Sequence, residues 1–463
     1  MRTLYFVTGP MLAVAGCATT ADAPINVTNQ ITIGDACCEC GDPCDDGESP
    51  CAEEDEEELD DSGDPVVEEE ELDTGVEPSE PEEPEEPEEP EEPTPMVDID
   101  ERDYHFIDLE VEQVDVAFLL DTTASMGATA DAMADEFGEI VDELASSISD
   151  GAYAFATFDD YNHGAMGEDS DLPFILQQQM TTDDGLVQVA LDNIEIHSGG
   201  DYPESTIEGL FQGLTGVGYD QTADGLYDAE TDVLPFIAGP DDAFGGLVGG
   251  TYDDTVPGTG MNGGYGFRDG SLPVIVYATD DNLRDADVST YDLPPEAGFT
   301  AGSSDVADAA EHMGARLIGV AANGRHPVAQ MTELAELTNS MYAADEDGLN
   351  DDPLVFTWNG SSEEFRDTVV EAIEGMLGSV TFETVTAVVT GNTYGFETSI
   401  EPPSYSNITV GAMPVSINFA VEIIGSVPAS TIDQTFPLTL EIYGDGVTLL
   451  ATRDVTVVVA ASL

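Results

Sequence analysis

Between residues 110 and 380, short and nearly continuous apolar runs alternate with stretches whose apolar residues recur at helical spacing. That alternation restricts the fold more than any other feature of the chain. The run 114–120 is bounded by turn-forming residues, as a central parallel strand should be. Further strands are expected at 153–158, 174–180, 272–278, 316–321 and 354–358, with helices at 126–147, 184–196, 205–214, 304–313, 328–339 and 363–377. Strands alternating with helices predict an α/β fold, a doubly wound and mostly parallel sheet covered on both faces. From 381 to 463 the helical spacing disappears. Alternating Val, Thr and Ile stretches at 382–389, 415–423, 436–442 and 455–460 predict a small all-β sandwich, with Gly444-Asp445-Gly446 as a hairpin turn.

In such α/β sheets ligands bind outside the carboxyl ends of the strands, near the point where strand order reverses. Polar residues at those ends therefore have first claim to function. Asp121, Thr123 and Ser125 follow the first strand at alternate positions and can turn three oxygens toward one point, which suits a hard cation. Gly199-Gly200-Asp201-Tyr202-Pro203-Glu204 opens a helix, and Thr279-Asp280-Asp281 ends the strand at 272–278.

With these three segments in order, residues 110–380 resemble the von Willebrand factor type A domain with its metal-ion-dependent adhesion site. Asp121 to Met126 matches that family's first loop, and Thr279-Asp280 its later Asp loop. Asp201 to Glu204 looks like the integrin β-subunit variety, in which a Glu replaces the loop threonine, and Phe267 to Pro273 is similar to bacterial members. The resemblance implies hydroxyl ligands from Thr123 and Ser125, a direct carboxylate from Glu204, and carboxylates from Asp121 and Asp280, directly or through water. The implied cofactor is Mg²⁺, with Ca²⁺ or Mn²⁺ as alternatives, and Asp201 is a candidate for a second cation. The implied partner is a protein ligand that offers an Asp or Glu carboxylate to the bound ion. Thr123 stands where serine is commoner, and the second motif lacks a Gly-x-Thr, which leaves Ser205 and Thr206 as rival ligands. The plainer reading is that Asp121 and Asp280 only cap helices.

Composition narrows the function further. The chain has 98 acidic and 8 basic residues, a formal charge of -90, and no lysine. Nucleic-acid binding through neutralised phosphates is excluded, and a basic patch for anionic lipid is absent. Residues 53–92 hold 24 of the acids, so 74 remain elsewhere and the folded part itself must be densely acidic. Such a surface repels itself unless screened, and at roughly 1 M salt the Debye length falls to about 3 Å. A saline, halophilic setting is therefore expected, with an acidic secreted protein in ordinary medium as the alternative. Lysine chemistry and Walker-type phosphate binding are impossible, and none of the five histidines, at 105, 163, 197, 312 and 326, sits in a recognisable zinc or nucleophile motif. No enzyme is expected, although a carboxylate-pair hydrolase and a structural envelope protein with a vestigial site are the alternatives.

Residues 1–17 read as an export signal too short to span a bilayer, and Val14-Ala15-Gly16-Cys17 resembles the lipobox of prokaryotic lipoproteins. The resemblance implies lipidation at Cys17, a lipid anchor as the sole membrane contact, and a place at the cell surface or envelope. A cleaved soluble signal is the alternative. Cys37, Cys38, Cys40, Cys44 and Cys51 follow in segment 18–51, an odd number that fits one or two local disulfides better than a zinc knot. Residues 52–96 form an acidic Pro/Glu stretch expected to stay disordered as a stalk. At about 3.1 Å per residue it would reach on the order of 100 Å. Within the α/β region, 216–270 is a Gly- and Asp-rich insertion. Its Asp220, Asp224, Asp228, Glu230 and Asp232 do not follow EF-hand spacing, so it reads as a solvated acidic loop and a candidate selector of partner.

Overall fold

The computed structural model describes residues 95–237, 250–294, 299–323, 326–344, 349–411 and 413–462. The signal-like segment, Cys17 and the later cysteines, the stalk as far as residue 94 and part of the insertion lie outside them. The chain runs through β1 (Met96–Leu109), β2 (Gln113–Asp121), a 3-10 turn (Ala124–Met126), α1 (Gly127–Leu144), β3 (Asp150–Phe158), β4 (Ile175–Thr181), α2 (Asp184–Leu191) and α3 (Thr206–Thr215). It continues through β5 (Leu272–Thr279), α4 (Ser303–Met313), β6 (Arg316–Ala322), α5 (Val328–Leu337), the two-residue strands β7 (Met341–Tyr342) and β8 (Asp352–Pro353), β9 (Val355–Trp358) and α6 (Ser362–Leu377). The last strands are β10 (Ser379–Thr390), β11 (Glu397–Glu401), β12 (Tyr405–Gly411), β13 (Val415–Pro428), β14 (Gln434–Gly444) and β15 (Thr448–Val459).

Six strands form the expected α/β sheet in the order β4-β3-β2-β5-β6-β9. All pairings are parallel except β4 against β3, which closes one edge antiparallel. Strand order reverses between β2 and β5, which makes the carboxyl ends of those two strands the switch point. Both faces of β2 are buried, and its side chains alternate between two cores. Val116, Phe118 and Leu120 pack with Met133, Phe137 and Ile140 of α1 and Phe365, Val369 and Ile373 of α6, whereas Ala117 and Leu119 join Ile207 and Leu210 of α3 and Met331 of α5. Helix α1 reaches that core because Ala130, Met133, Phe137, Ile140 and Leu144 recur at steps of three and four residues. Helix α6 starts where Ser361 and Glu364 cap each other: Ser361 Oγ accepts from the Glu364 amide (3.4 Å) and Glu364 Oε2 from the Ser361 amide (2.9 Å).

The remaining strands make two antiparallel sheets, β1-β13-β11 and β12-β10-β14-β15. Phe419, Val421 and Ile423 of the first face Phe382, Leu440, Ile442, Val455 and Val457 of the second in one apolar core. The expected hairpin turn is present: Asp445 (φ 48°) and Gly446 (φ 78°) are both left-handed, and the Val447 amide donates to the Gly444 carbonyl at 3.1 Å. The sandwich is not built from the carboxyl end alone. β1, which precedes the α/β sheet, pairs with β13 along its whole length.

The sandwich docks at the amino ends of the parallel strands. The Glu110 amide, just before β2, donates to Leu450 O at 3.1 Å, and the Leu449 amide donates to Gly270 O, just before β5, at 2.9 Å. Arg316, at the start of β6, reaches Thr381 O at 3.0 Å. Chain entry at Met96 therefore lies about 40–45 Å along β1 from this junction, and the switch point lies at the opposite end of the α/β sheet.

The segment from Phe267 to Pro273 has a structural task at that junction. Asp115 is wholly buried inside β2. It accepts from Arg268 Nε (2.7 Å), the Arg268 amide (2.6 Å) and Ser271 Oγ (3.0 Å), while Arg268 Nη1 also holds Asp150 Oδ1 (2.7 Å). Arg268→Ala should strand the Asp115 carboxylate and lower stability by about 3–5 kcal/mol, measurable by denaturant unfolding at fixed high salt. A loss below about 1 kcal/mol would contradict this role.

Candidate metal centre

Strand β2 delivers Asp121, Thr122 and Thr123 to the switch point with all three side chains buried. Asp121 Oδ1 accepts from the Thr123 amide (2.8 Å) and hydroxyl (2.7 Å), and its Oδ2 accepts from Thr279 Oγ1 (2.6 Å) at the end of β5. The exposed Ser125, in the turn that leads into α1, donates to Asp280 Oδ1 at 2.9 Å. Glu204 is stitched to the loop after β5: its amide donates to Asn282 O (2.9 Å) and its carbonyl accepts from the Arg284 amide (2.7 Å). The crevice thus has a buried wall of Asp121, Thr123 and Glu204 and an accessible rim of Ser125 and Asp280.

Gly199 lets the second loop close on the first, and Gly200 lets it close on the loop that follows β3. Gly199 has φ +65° and packs against Thr123, and a Cβ on Gly200 would stand 2.3 Å from the Met166 carbonyl oxygen. From there the Gly200 amide donates to Asp160 Oδ2 at 3.2 Å.

Electrostatically the crevice is overloaded with negative charge. Burial first, then the charges of Asp121, Asp160, Asp281 and Asp280, push the Glu204 carboxyl up to about 10. Burial likewise raises Asp121 to about 7, against its hydroxyl and amide donors, and Asp160 to about 8. Glu204 Oε2 and Asp160 Oδ1 are buried with no hydrogen-bond partner. A buried carboxylate oxygen without a partner carries its full desolvation cost, so these residues fit a bound divalent cation.

The structure gives Asp201 a different partner. The fully buried Arg284 donates through Nη2 to Asp201 Oδ1 and to Pro203 O (2.8 Å), and through Nη1 to Asp292 O (2.8 Å). A guanidinium thus answers the charge of Asp201 from within the chain. Of the rival ligands, Ser205 Oγ donates to the Asp159 carbonyl oxygen, whereas Thr206 Oγ1 is buried without a partner.

Several functional candidates were not identified from sequence. Asp159 and Asp160 directly follow β3, at a carboxyl end where the rule applied to β2 and β5 would have found them. The structure also gathers Asp159, Asp171 and His197 into a group whose ligand atoms lie within 4.8 Å of one another, a grouping able to hold a metal ion. His197 belongs to it although its sequence neighbourhood contains no zinc spacing. Described acids of the insertion serve their own loop instead: Asp232 accepts from the amides of Gln221 (2.8 Å) and Asp228 (2.9 Å), and Asp220 from that of Gly225 (2.9 Å).

No protein-family model matches the chain, and no curated protein does. Solved structures to which it is similar include proximal thread matrix protein 1 from the mussel byssus, at 13% identity and a TM-score of 0.32, covering 61% of this chain and 51% of that one. The pilus adhesin SpaC from Lactobacillus rhamnosus GG, in its open conformation, is 10% identical with a TM-score of 0.31, over 78% of this chain and 47% of that one. The ArnB paralog VWA2 from Sulfolobus acidocaldarius is 11% identical with a TM-score of 0.26, over 79% and 72%. The chain spans about half the length of the first two.

A pH dependence follows from the crevice. Without a divalent ion, the folded chain keeps protons on Asp121, Asp160 and Glu204 that unfolded carboxyls release near pH 4. The native state then binds more protons, so its stability should fall as pH rises from about 4 through 7–8 and on toward 10. Denaturant midpoints in chelator at fixed high salt should show this slope, and both Mg²⁺ and Glu204→Gln should flatten it. An unchanged slope in Glu204→Gln would assign the effect to the diffuse surface charge.

Proposed function

We propose that this chain is a divalent-cation-dependent protein-binding module of the adhesion type, exported and held at the cell surface by a lipid on Cys17. The observation that carries the reading is the convergence of Asp121, Thr123, Ser125, Glu204 and Asp280 at the switch point, with a buried oxygen of Glu204 left without a donor. Thr123, Ser125 and Glu204 would hold the ion directly, with Asp121 and Asp280 behind them or through water. Mg²⁺ is the first choice, because an all-oxygen set of few protein ligands suits an ion that retains several waters; Ca²⁺ and Mn²⁺ are the alternatives. When bound, the ion supplies a Lewis-acidic position that a carboxylate of a partner protein can take. Ser125 and Asp280 leave the rim open for that exchange, and the exposed Tyr202 beside it offers an aromatic contact.

The architecture supports this use. Within the described residues, β1 begins at Met96 at the far end of the sandwich, and the crevice lies at the opposite end of the α/β sheet. No helix of the described residues is long and apolar enough to cross a membrane. An acidic protein and an acidic partner repel each other at low salt, and the saline setting inferred from the charge relieves this. We read the chain as a binder rather than an enzyme, because the crevice chemistry is cation capture by carboxylates and hydroxyls.

Thermal unfolding of the full chain in high KCl tests the reading, first with EDTA and then with Mg²⁺, Ca²⁺ or Mn²⁺. The wild type should gain several degrees in midpoint with one preferred ion, and Asp121→Ala should lose that gain. Equal responses in both proteins would mean diffuse screening of surface carboxylates and would leave the structural envelope reading.

A further inference from the structure

We propose that Asp159, Asp171 and His197 form a second metal site, for a divalent transition ion that accepts an imidazole nitrogen together with carboxylate oxygens, with Zn²⁺ as the reference case. The three residues come from the end of β3, from the loop that follows it and from the segment after α2. His197 Nδ1 lies 2.7 Å from Asp159 Oδ2 and 4.0 Å from Asp171 Oδ1. Asp159 and Asp171 are wholly buried. Asp171 Oδ1 has no hydrogen-bond partner. An Asp–His hydrogen bond alone accounts for Asp159 and His197 but leaves the Asp171 oxygen 4.0 Å from the ring nitrogen and without a hydrogen bond, at a desolvation cost that one shared cation would remove.

The surroundings have the form of a metal site's supporting shell. Asp159 Oδ1 is held by Thr122 Oγ1 at 2.6 Å, and Asp171 Oδ2 by the Glu168 amide at 2.8 Å, so each carboxylate has one oxygen fixed by a donor and the other turned to the centre. The backbone amide of His197 donates to Thr122 O at 2.8 Å, which fixes the segment that carries the ring. The His197 side chain is 27% exposed, so the group is open on one side, where water can complete the coordination. One nitrogen and two oxygens suit Zn²⁺, Mn²⁺ or Fe²⁺ better than Mg²⁺ or Ca²⁺, which favour oxygen alone. No ligand is shared with the Asp121 crevice, so this inference stands whether or not a cation binds there. The two are joined through Thr122, whose neighbours Asp121 and Thr123 line the crevice, and an ion at His197 would therefore brace that loop.

Co²⁺ added to the full chain in excess Mg²⁺ tests the proposal. Bound by imidazole and carboxylate, it gives a visible ligand-field band without the near-ultraviolet thiolate charge-transfer that the amino-terminal cysteines would add. The band is expected in the wild type. It should weaken roughly tenfold or more in affinity in His197→Gln and Asp171→Asn, with circular dichroism confirming that both variants are folded. Cobalt-edge X-ray absorption of the wild type needs no variant and should reveal one imidazole in the coordination shell. A shell of oxygen or sulfur alone, or wild-type Co²⁺ affinity in both folded variants, would overturn the proposal.

Discussion

Carboxylates crowded into a largely buried crevice set the terms for the rest of this molecule. Asp121, Asp160, Glu204, Asp280 and Asp281 act on one another where β2, β3 and β5 end. Two like charges 4 Å apart repel by roughly 4 kcal/mol at the effective dielectric of a protein surface region, so such a group persists only with protons or cations among its members. Arg284 supplies one fixed positive charge at the edge, through Asp201. The other charges need an ion or protons. The switch point brings the strand ends together, Gly199 packs the second loop onto the first, and the hydrogen bonds between Asp121, Thr123 and Thr279 hold one wall in place.

The same scarcity of positive charge organises the whole chain. Of only 8 basic residues, all arginine, Arg268, Arg284 and Arg316 are largely buried. A guanidinium keeps its charge on burial and can serve several oxygens at once. Arg268 fixes Asp115 at the base of the sheet, Arg316 reaches across to the sandwich, and Arg284 steadies the crevice loops. With these cations turned inward, few positive charges are left to offset the many carboxylates of the chain, whose mutual repulsion salt would screen.

Much of this was legible in the sequence wherever a local pattern carried the information. The buried runs that became β2, β5 and β6 stand out because a parallel strand covered on both faces is continuously apolar. Asp121, Thr123, Ser125 and Asp280 could be named because they follow such runs directly. The direction of β4 could not be read, since its residues look the same in either sense. β1 was missed as a sandwich strand because it is half exposed, polar and separated from its partner β13 by the entire α/β domain. β11 and β12, short edge strands with mostly accessible residues, carry almost no apolar signal. Asp171 and His197 sit in loops that only the folded topology brings to Asp159, and the pairing of Arg284 with Asp201 spans 83 positions.

The central claim is that the crevice holds one divalent ion, and anomalous diffraction from crystals of the full chain grown with Mn²⁺ tests it most directly. The account predicts a Mn²⁺ peak at bonding distance from Glu204 Oε2 and the hydroxyls of Thr123 and Ser125, and its disappearance in Asp121→Ala. Manganese found only among surface carboxylates, with the crevice filled by water and Glu204 donating a proton to a neighbouring carboxylate, would contradict it.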